Sequence, residues 1–182
     1  MEAMATSVGT LFDVIADEAS AESPLWKGAL LPGHQRQLVP VFSPLVTDAA
    51  LALGLETIYE GYLVHYGRSR LFAPADADTA LLLGDYLYAH GLVRVAQTGN
   101  VAAVGDLAEL ISLCAQLRAD GREGDGVAWA ATAALLGAQA IVAPRAELRD
   151  RGREASLDSA ARAAAGDAAV ERALERHRLC VS

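Results

Sequence analysis

The chain has 182 residues, with 15 Lys and Arg against 23 Asp and Glu, so its formal net charge at pH 7 is −8. This balance argues against a nucleic-acid-binding protein, which needs a surplus of cationic side chains to bind phosphate groups. Apolar residues make up 53% of the chain, enough to fill the core of one domain.

Cellular setting is predicted from three further features. The two cysteines are too few for a disulfide framework. Residues 1–4 contain an acid and lack the basic region of a secretory signal. The sequence also lacks an uninterrupted apolar stretch of about 18 residues, the length that spans a membrane. We therefore expect a cytoplasmic protein without stable membrane insertion.

The residue pattern predicts an all-α protein. Ala, Leu, Arg and Glu dominate, and these are strong helix formers. Periodic apolar residues predict helices over residues 8–21, 35–53, 55–66, 77–97, 107–117 and 127–142. Because Pro40 and Pro44 lie inside the second of these, that helix is expected to start late or to be kinked. Residues 24–33 are predicted to form a loop, and Gly54 is a predicted helix end.

The helix over residues 77–97 has the strongest pattern. It is apolar nearly all round, and Asp76 or Asp78 can cap its first turn. A helix without a polar face is expected to lie at the centre of a bundle.

Pro144 marks a change in composition. Residues 144–182 hold eight Arg and seven acids, a net charge of +1, whereas residues 1–143 carry −9. An apolar seam in the second part consists of Val170, Leu174, His177 and Val181. We predict a helical bundle domain over residues 1–143 and a charged helical extension over residues 144–182, packed on the bundle or on a partner.

Common catalytic motifs are missing from the sequence, among them G-x-S-x-G, H-E-x-x-H, C-x-x-C and a Walker phosphate loop. The four histidines lack metal-ligand spacing. The acid in Gly124-Asp125-Gly126 fits a turn better than a calcium loop. The sequence therefore predicts no metal and no cofactor.

Four segments, in a fixed order over roughly residues 30–143, resemble the trans-isoprenyl diphosphate synthase (polyprenyl synthetase) family. They are Pro32–Pro40, similar to a Gly-Lys-Arg-x-Arg-Pro turn; Leu81–Ala89, similar to a Leu-Leu-Gly-Asp-Tyr-Leu-x-Ala helix; Gly99-Asn100 with the helix after it; and Ala131–Leu135, similar to a Lys-Thr-Ala-x-Leu segment. The resemblance implies a shortened isoprenoid synthase bundle that dimerises through its mid-chain helices.

The chain departs from this family where the chemistry takes place. Family members ionise an allylic diphosphate on Mg²⁺ held by two Asp-Asp-x-x-Asp motifs. This chain has no Asp-Asp pair, and Tyr62–Gly67 and Arg145–Arg153 stand where the motifs are expected. We expect a synthase-like protein that is not catalytic on its own. It would be an accessory or regulatory subunit beside a catalytic prenyl synthase, or a homodimer.

Two sets of residues are candidates for ligand contacts. A diphosphate would meet His34 and Arg36 in the turn that resembles the family, and Arg68 and Arg70 in the loop after residues 55–66. An apolar tunnel or a subunit interface would use Leu83, Tyr86, Leu87 and Tyr88. Ordinary roles stay open, because an arginine pair can be simply solvated and tyrosines can pack in a core.

Two other functions also stay open. One is a helical interaction or structural protein without a small-molecule site, which the charged residues 144–182 favour. The other is a divergent enzyme that binds an anionic or isoprenoid ligand, which Arg68 and Arg70 favour.

Overall fold

The computed structural model describes the backbone of residues 2–182 and the side chains of residues 11–182. The helices are α1 (Glu2–Glu22), α2 (Pro24–Ala29), α3 (Ala49–Tyr66), α4 (Ala77–Gln97), α5 (Val101–Ala119), α6 (Asp125–Ala134), α7 (Val142–Arg151), α8 (Ala155–Ala165) and α9 (Asp167–Val181). No strand occurs within residues 2–182, so the prediction of an all-α protein is confirmed. None of the helices in this range combines the length and the apolar character needed to cross a bilayer. The side chains of residues 1–4, which underlie the expectation about a secretory signal, lie outside the described part.

The helix predicted over residues 35–53 starts late, which is one of the two outcomes expected from its prolines. Only single 3₁₀ turns form before α3, at Gly33–Gln35 and Ser43–Leu45, because Pro40 and Pro44 have no N–H group to donate. α3 begins later, where the Asp48 carboxylate accepts a hydrogen bond from the Ala50 N–H at 3.0 Å. Part of the predicted loop over residues 24–33 is instead the short helix α2, capped by Ser23.

The central helix of the bundle is α3. Eleven of its 18 residues are buried. By contrast, Leu81, Leu82 and Val93 of α4 are each more than half exposed. The prediction that residues 77–97 form the central helix is therefore wrong. Residues 77–97 carry apolar side chains on nearly every side, so their pattern does not indicate which side of the helix is buried.

Close backbone contact joins α3 to α4. A Cβ atom on Gly54 would lie 2.5 Å from Val95 Cγ2, and one on Gly91 would lie 2.9 Å from the Gly54 carbonyl oxygen. Glycine at both positions lets the two helices approach this closely. Gly54 is therefore a packing residue inside α3, and its prediction as a helix end is wrong.

The predicted helix over residues 127–142 is divided in two. It breaks after Ala134 and α7 begins at Val142, with Gly137 between them at a φ of +83°. The buried Asp106 of α5 holds this break, since it accepts hydrogen bonds from the Gly137 N–H and from Arg145, both at 2.9 Å.

The last two helices pack on the bundle of the same chain. Their side chains Leu157, Ala161 and Val170 are fully buried, in one apolar cluster with residues of α3, α5 and α6. A second, smaller cluster joins α1 to α4, for example through Phe12 and Leu83.

Candidate functional site

A polar cluster lies where the C-terminal ends of α3 and α5 meet the start of α6. The Tyr62 hydroxyl donates a hydrogen bond to the Asp125 carboxylate. Arg118 donates from Nε to the Tyr62 oxygen at 3.1 Å and also forms an ion pair with Asp125. With His177 of α9, these side chains are named here the Asp125 cluster.

The Asp125 cluster is held in one charge state by its surroundings. Burial alone would raise the pKa of Asp125, but the nearby His177 imidazole, the hydrogen bond from Tyr62 and the charge of Arg118 hold that pKa well below its usual range. Burial, followed by the adjacent carboxylate, raises the pKa of Tyr62 above its usual value. An ionised acid and a neutral phenol are therefore the stable forms at neutral pH.

His177 is the least satisfied member of the cluster. It is only 3% exposed, and its Nδ1 atom lies 3.0 Å from the Tyr59 hydroxyl oxygen. Its Nε2 atom lies 3.7 Å from Asp125 Oδ2, too far for a hydrogen bond, and has no hydrogen-bond partner in the described part of the chain. The rings of Phe42 and Trp129 pack beside Tyr59, and the ring centres of Trp129 and Tyr59 are 5.0 Å apart.

A cavity of about 410 Å³ opens beside the Asp125 cluster. It lies between the α5–α6 turn, which contains Gly124, and the helix α9, which contributes Leu174, His177 and Val181. The cavity therefore brings an unpartnered imidazole nitrogen and ionised side chains next to an apolar wall, which suits a small amphipathic ligand.

Arg70, predicted to contact a diphosphate, is buried in the core instead. Its guanidinium lies 2.8 Å from Glu56 Oε2 and 2.9 Å from Glu60 Oε2. Glu60 also accepts hydrogen bonds from the backbone N–H groups of Arg70 and Leu71, at 2.8 Å and 2.9 Å. These three charged residues, named here the Arg70 cluster, attach the loop after α3 to that helix and leave Arg70 unable to meet a ligand.

The other predicted diphosphate residues lie on the surface. His34 is exposed, and the Arg36 guanidinium donates to the Leu31 carbonyl oxygen at 2.8 Å. Arg68 is exposed and lines a second cavity of about 390 Å³, which the turn reaches through Gln35 and Gln37 rather than through His34 or Arg36.

The predicted tunnel residues pack against other side chains. Leu83 and Leu87 are buried in the smaller apolar cluster with α1. Tyr86 stacks on Trp26 with ring centres 5.8 Å apart, and Tyr88 lies against His65 at 5.1 Å. None of the four predicted residues lines either of the two cavities described above.

Sequence reasoning missed the Asp125 cluster as a unit. His177 was part of the predicted seam and Asp125 part of a predicted turn, but they lie far apart in the chain and form no motif. The usable signal was the aromatic stripe of α3, which includes Tyr59 and Tyr62 and whose hydroxyl groups need partners when buried.

No family model matches the chain, and neither a curated protein nor a solved structure matches it significantly.

Proposed function

We propose that this chain is a non-catalytic subunit, similar to an isoprenyl diphosphate synthase, that pairs with a catalytic prenyl synthase chain. The observation that carries the proposal is the exposed apolar face of α4, where Leu81, Leu82 and Val93 are 55%, 55% and 53% exposed. Val101, at the start of α5 just beyond the α4–α5 turn, is 80% exposed. Large apolar side chains exposed on neighbouring helices are candidates for a site that a partner protein covers.

The face continues along α5 with small side chains. Gly105, Ala108, Ser112 and Ala119 are all exposed. Small side chains allow a second helix to approach closely. Members of the family that the sequence resembles pair through mid-chain helices, and α4 and α5 are the mid-chain helices here.

The ion pairs that the acids of α3 form support a non-catalytic role. Glu56 and Glu60 lie one helical turn apart, the spacing with which carboxylates hold Mg²⁺ in the family, but Arg70 neutralises both inside the core. Tyr62 and Tyr66 occupy the end of α3 where the resemblance places the first acidic motif.

The test is co-expression with a full-length prenyl synthase from the same genome, followed by light-scattering measurement of mass in solution. A complex is expected, and the double variant Val93→Glu/Ala108→Glu should weaken it at least about 30-fold, because two carboxylates would lose water in the interface. Val142→Glu/Leu179→Glu, at exposed apolar residues of α7 and α9, is the matched control and should leave the complex intact.

Three outcomes would overturn the proposal: no complex, a complex that the double variant leaves unchanged, or a homodimer on this face that no synthase displaces. The last outcome would assign the face to a second copy of the chain.

A second candidate function, binding of an anionic or isoprenoid ligand, is supported by the cavity that Arg68 shares with Gln35 and Gln37. Inorganic diphosphate should then raise the melting temperature of the chain. Arg68→Gln should remove that rise, while Arg151→Gln, at an exposed residue of α7, should keep it. An equal rise in all three proteins would contradict the idea.

A further inference from the structure

The cavity beside the Asp125 cluster has features that a partner-binding role does not use. Two glycines line it. A Cβ atom on Gly126 would lie 2.8 Å from His177 Cδ2, and one on Gly124, whose φ is +113°, would lie 2.8 Å from Leu148 Cδ1. Glycine at position 126 therefore lets His177 approach the start of α6 beside the cavity.

The cationic side chains around the cavity already have partners. Arg118 binds Tyr62 and Asp125. Arg122 donates from Nη1 and Nη2 to two carbonyl oxygens near the end of α7, at 2.8 Å and 2.6 Å. Arg178 pairs with Glu171 at 3.0 Å. Because their donors are engaged within the protein, these arginines do not favour an anionic ligand.

Two acids on the cavity wall, unlike the arginines, have no partners among the described residues. Glu123 and Glu154 both line the cavity, and within residues 11–182 neither carboxylate has an ion pair or a hydrogen bond. Burial, then repulsion from Glu123 and Asp125, raises the pKa of Glu154. The nearby His177 Nε2 atom is buried without a hydrogen-bond partner. Two carboxylates and one imidazole nitrogen thus line a space whose arginines, among the described residues, are already engaged with other groups of the protein.

We propose that this cavity binds a small organic cation, with a primary ammonium group on a short alkyl chain. The ammonium group donates to Glu123, Glu154 and His177 Nε2, which accepts when Nδ1–H donates to the Tyr59 oxygen. Leu174 and Val181 cover the alkyl chain. Among the described side chains, no three acids, histidines or cysteines are arranged to hold a metal ion, which favours an organic cation over a metal. This site is independent of the α4–α5 face.

Calorimetric titration of the full chain with 1,4-diaminobutane at low salt tests the proposal. We expect saturable binding, which weakens as salt screens the carboxylates. The neutral analogue 1,4-butanediol and inorganic phosphate should not bind. The double variant Glu123→Gln/Glu154→Gln should bind the diamine at least about tenfold more weakly, since it removes both charges that face the ammonium group.

The matched control is Asp13→Asn/Asp17→Asn, which removes the same charge from exposed positions of α1 and should bind as the parent does. Helical circular dichroism verifies folding, and the Glu variant should melt no lower than the parent because neither acid has a protein partner. The proposal is overturned if the diamine does not saturate, if phosphate binds instead, or if both double variants bind equally. Because light scattering reports the α4–α5 face separately, failure here leaves the subunit proposal to its own test.

Discussion

Two charged clusters contain residues of the same helix, α3. They differ in whether their polar groups are paired inside the core or lie beside a cavity. In the Arg70 cluster, the side chains of Glu56, Glu60 and Arg70 are at most 1% exposed, and Arg70 forms ion pairs with both carboxylates. In the Asp125 cluster, a cavity adjoins the charges, and within residues 11–182 the His177 Nε2 atom has no hydrogen-bond partner. The first cluster fastens a loop to a helix. The second cluster lies beside acceptors that the proposed cationic ligand would use.

The largest expected effect of a substitution is at the closed cluster. Arg70→Met leaves two carboxylates buried without their counter-ion, and should lower the free energy of unfolding by about 3–5 kcal/mol. Urea unfolding measures the change. Arg151→Met, at an exposed residue of α7, is the control and should change stability by less than about 0.5 kcal/mol. Equal losses in the two variants would show that Glu56 and Glu60 do not depend on Arg70.

A smaller, pH-dependent effect is expected at the open cluster. The pKa of Asp125 lies below its usual value in the folded chain, so the ionised form stabilises the fold above about pH 4, and this contribution falls as the pH drops. Asp125→Asn should therefore be less stable than the parent by about 1–3 kcal/mol at pH 7. The difference in urea midpoint should narrow progressively as the pH falls below about 4 towards the lowered pKa of Asp125. A difference that is constant with pH would contradict this role of the carboxylate.

The smallest effect concerns the contact that orients His177. Tyr59→Phe removes one buried hydrogen bond, and should lower the free energy of unfolding by about 1 kcal/mol. A double-mutant cycle with His177→Phe isolates the pair, with an expected coupling of about 1 kcal/mol. Additive losses would mean that Tyr59 and His177 do not interact.

Local patterns in the sequence predicted several features of the fold well. The bounds of α4 agree with the predicted 77–97, and Asp76 caps it by accepting from the Thr79 N–H at 2.7 Å. Leu107, Leu110 and Cys114 of the predicted α5 stripe are fully buried. These features depend on neighbours within a few turns, which a sequence pattern records directly.

Features that depend on distant parts of the chain were not predicted. Gly54 is indistinguishable from a helix end until Gly91 is known to face it. In the sequence, Arg70 looks like any surface cation. Its partners Glu56 and Glu60 lie one turn apart on α3, and they meet Arg70 only because the loop after α3 folds back onto that helix. The Asp125 cluster joins four helices, so no single stretch of sequence contains its signal.

The two tryptophans of the chain lie in different surroundings, so intrinsic fluorescence can report on one region of the protein. Trp129 is fully buried among the rings of Phe42, Tyr59 and Tyr62, whereas Trp26 stacks on Tyr86 beside the smaller cluster. Replacing Trp26 with Phe would leave one emitter, packed against the same three rings that contact His177. Emission from that variant would then follow events at this end of the bundle without an attached dye.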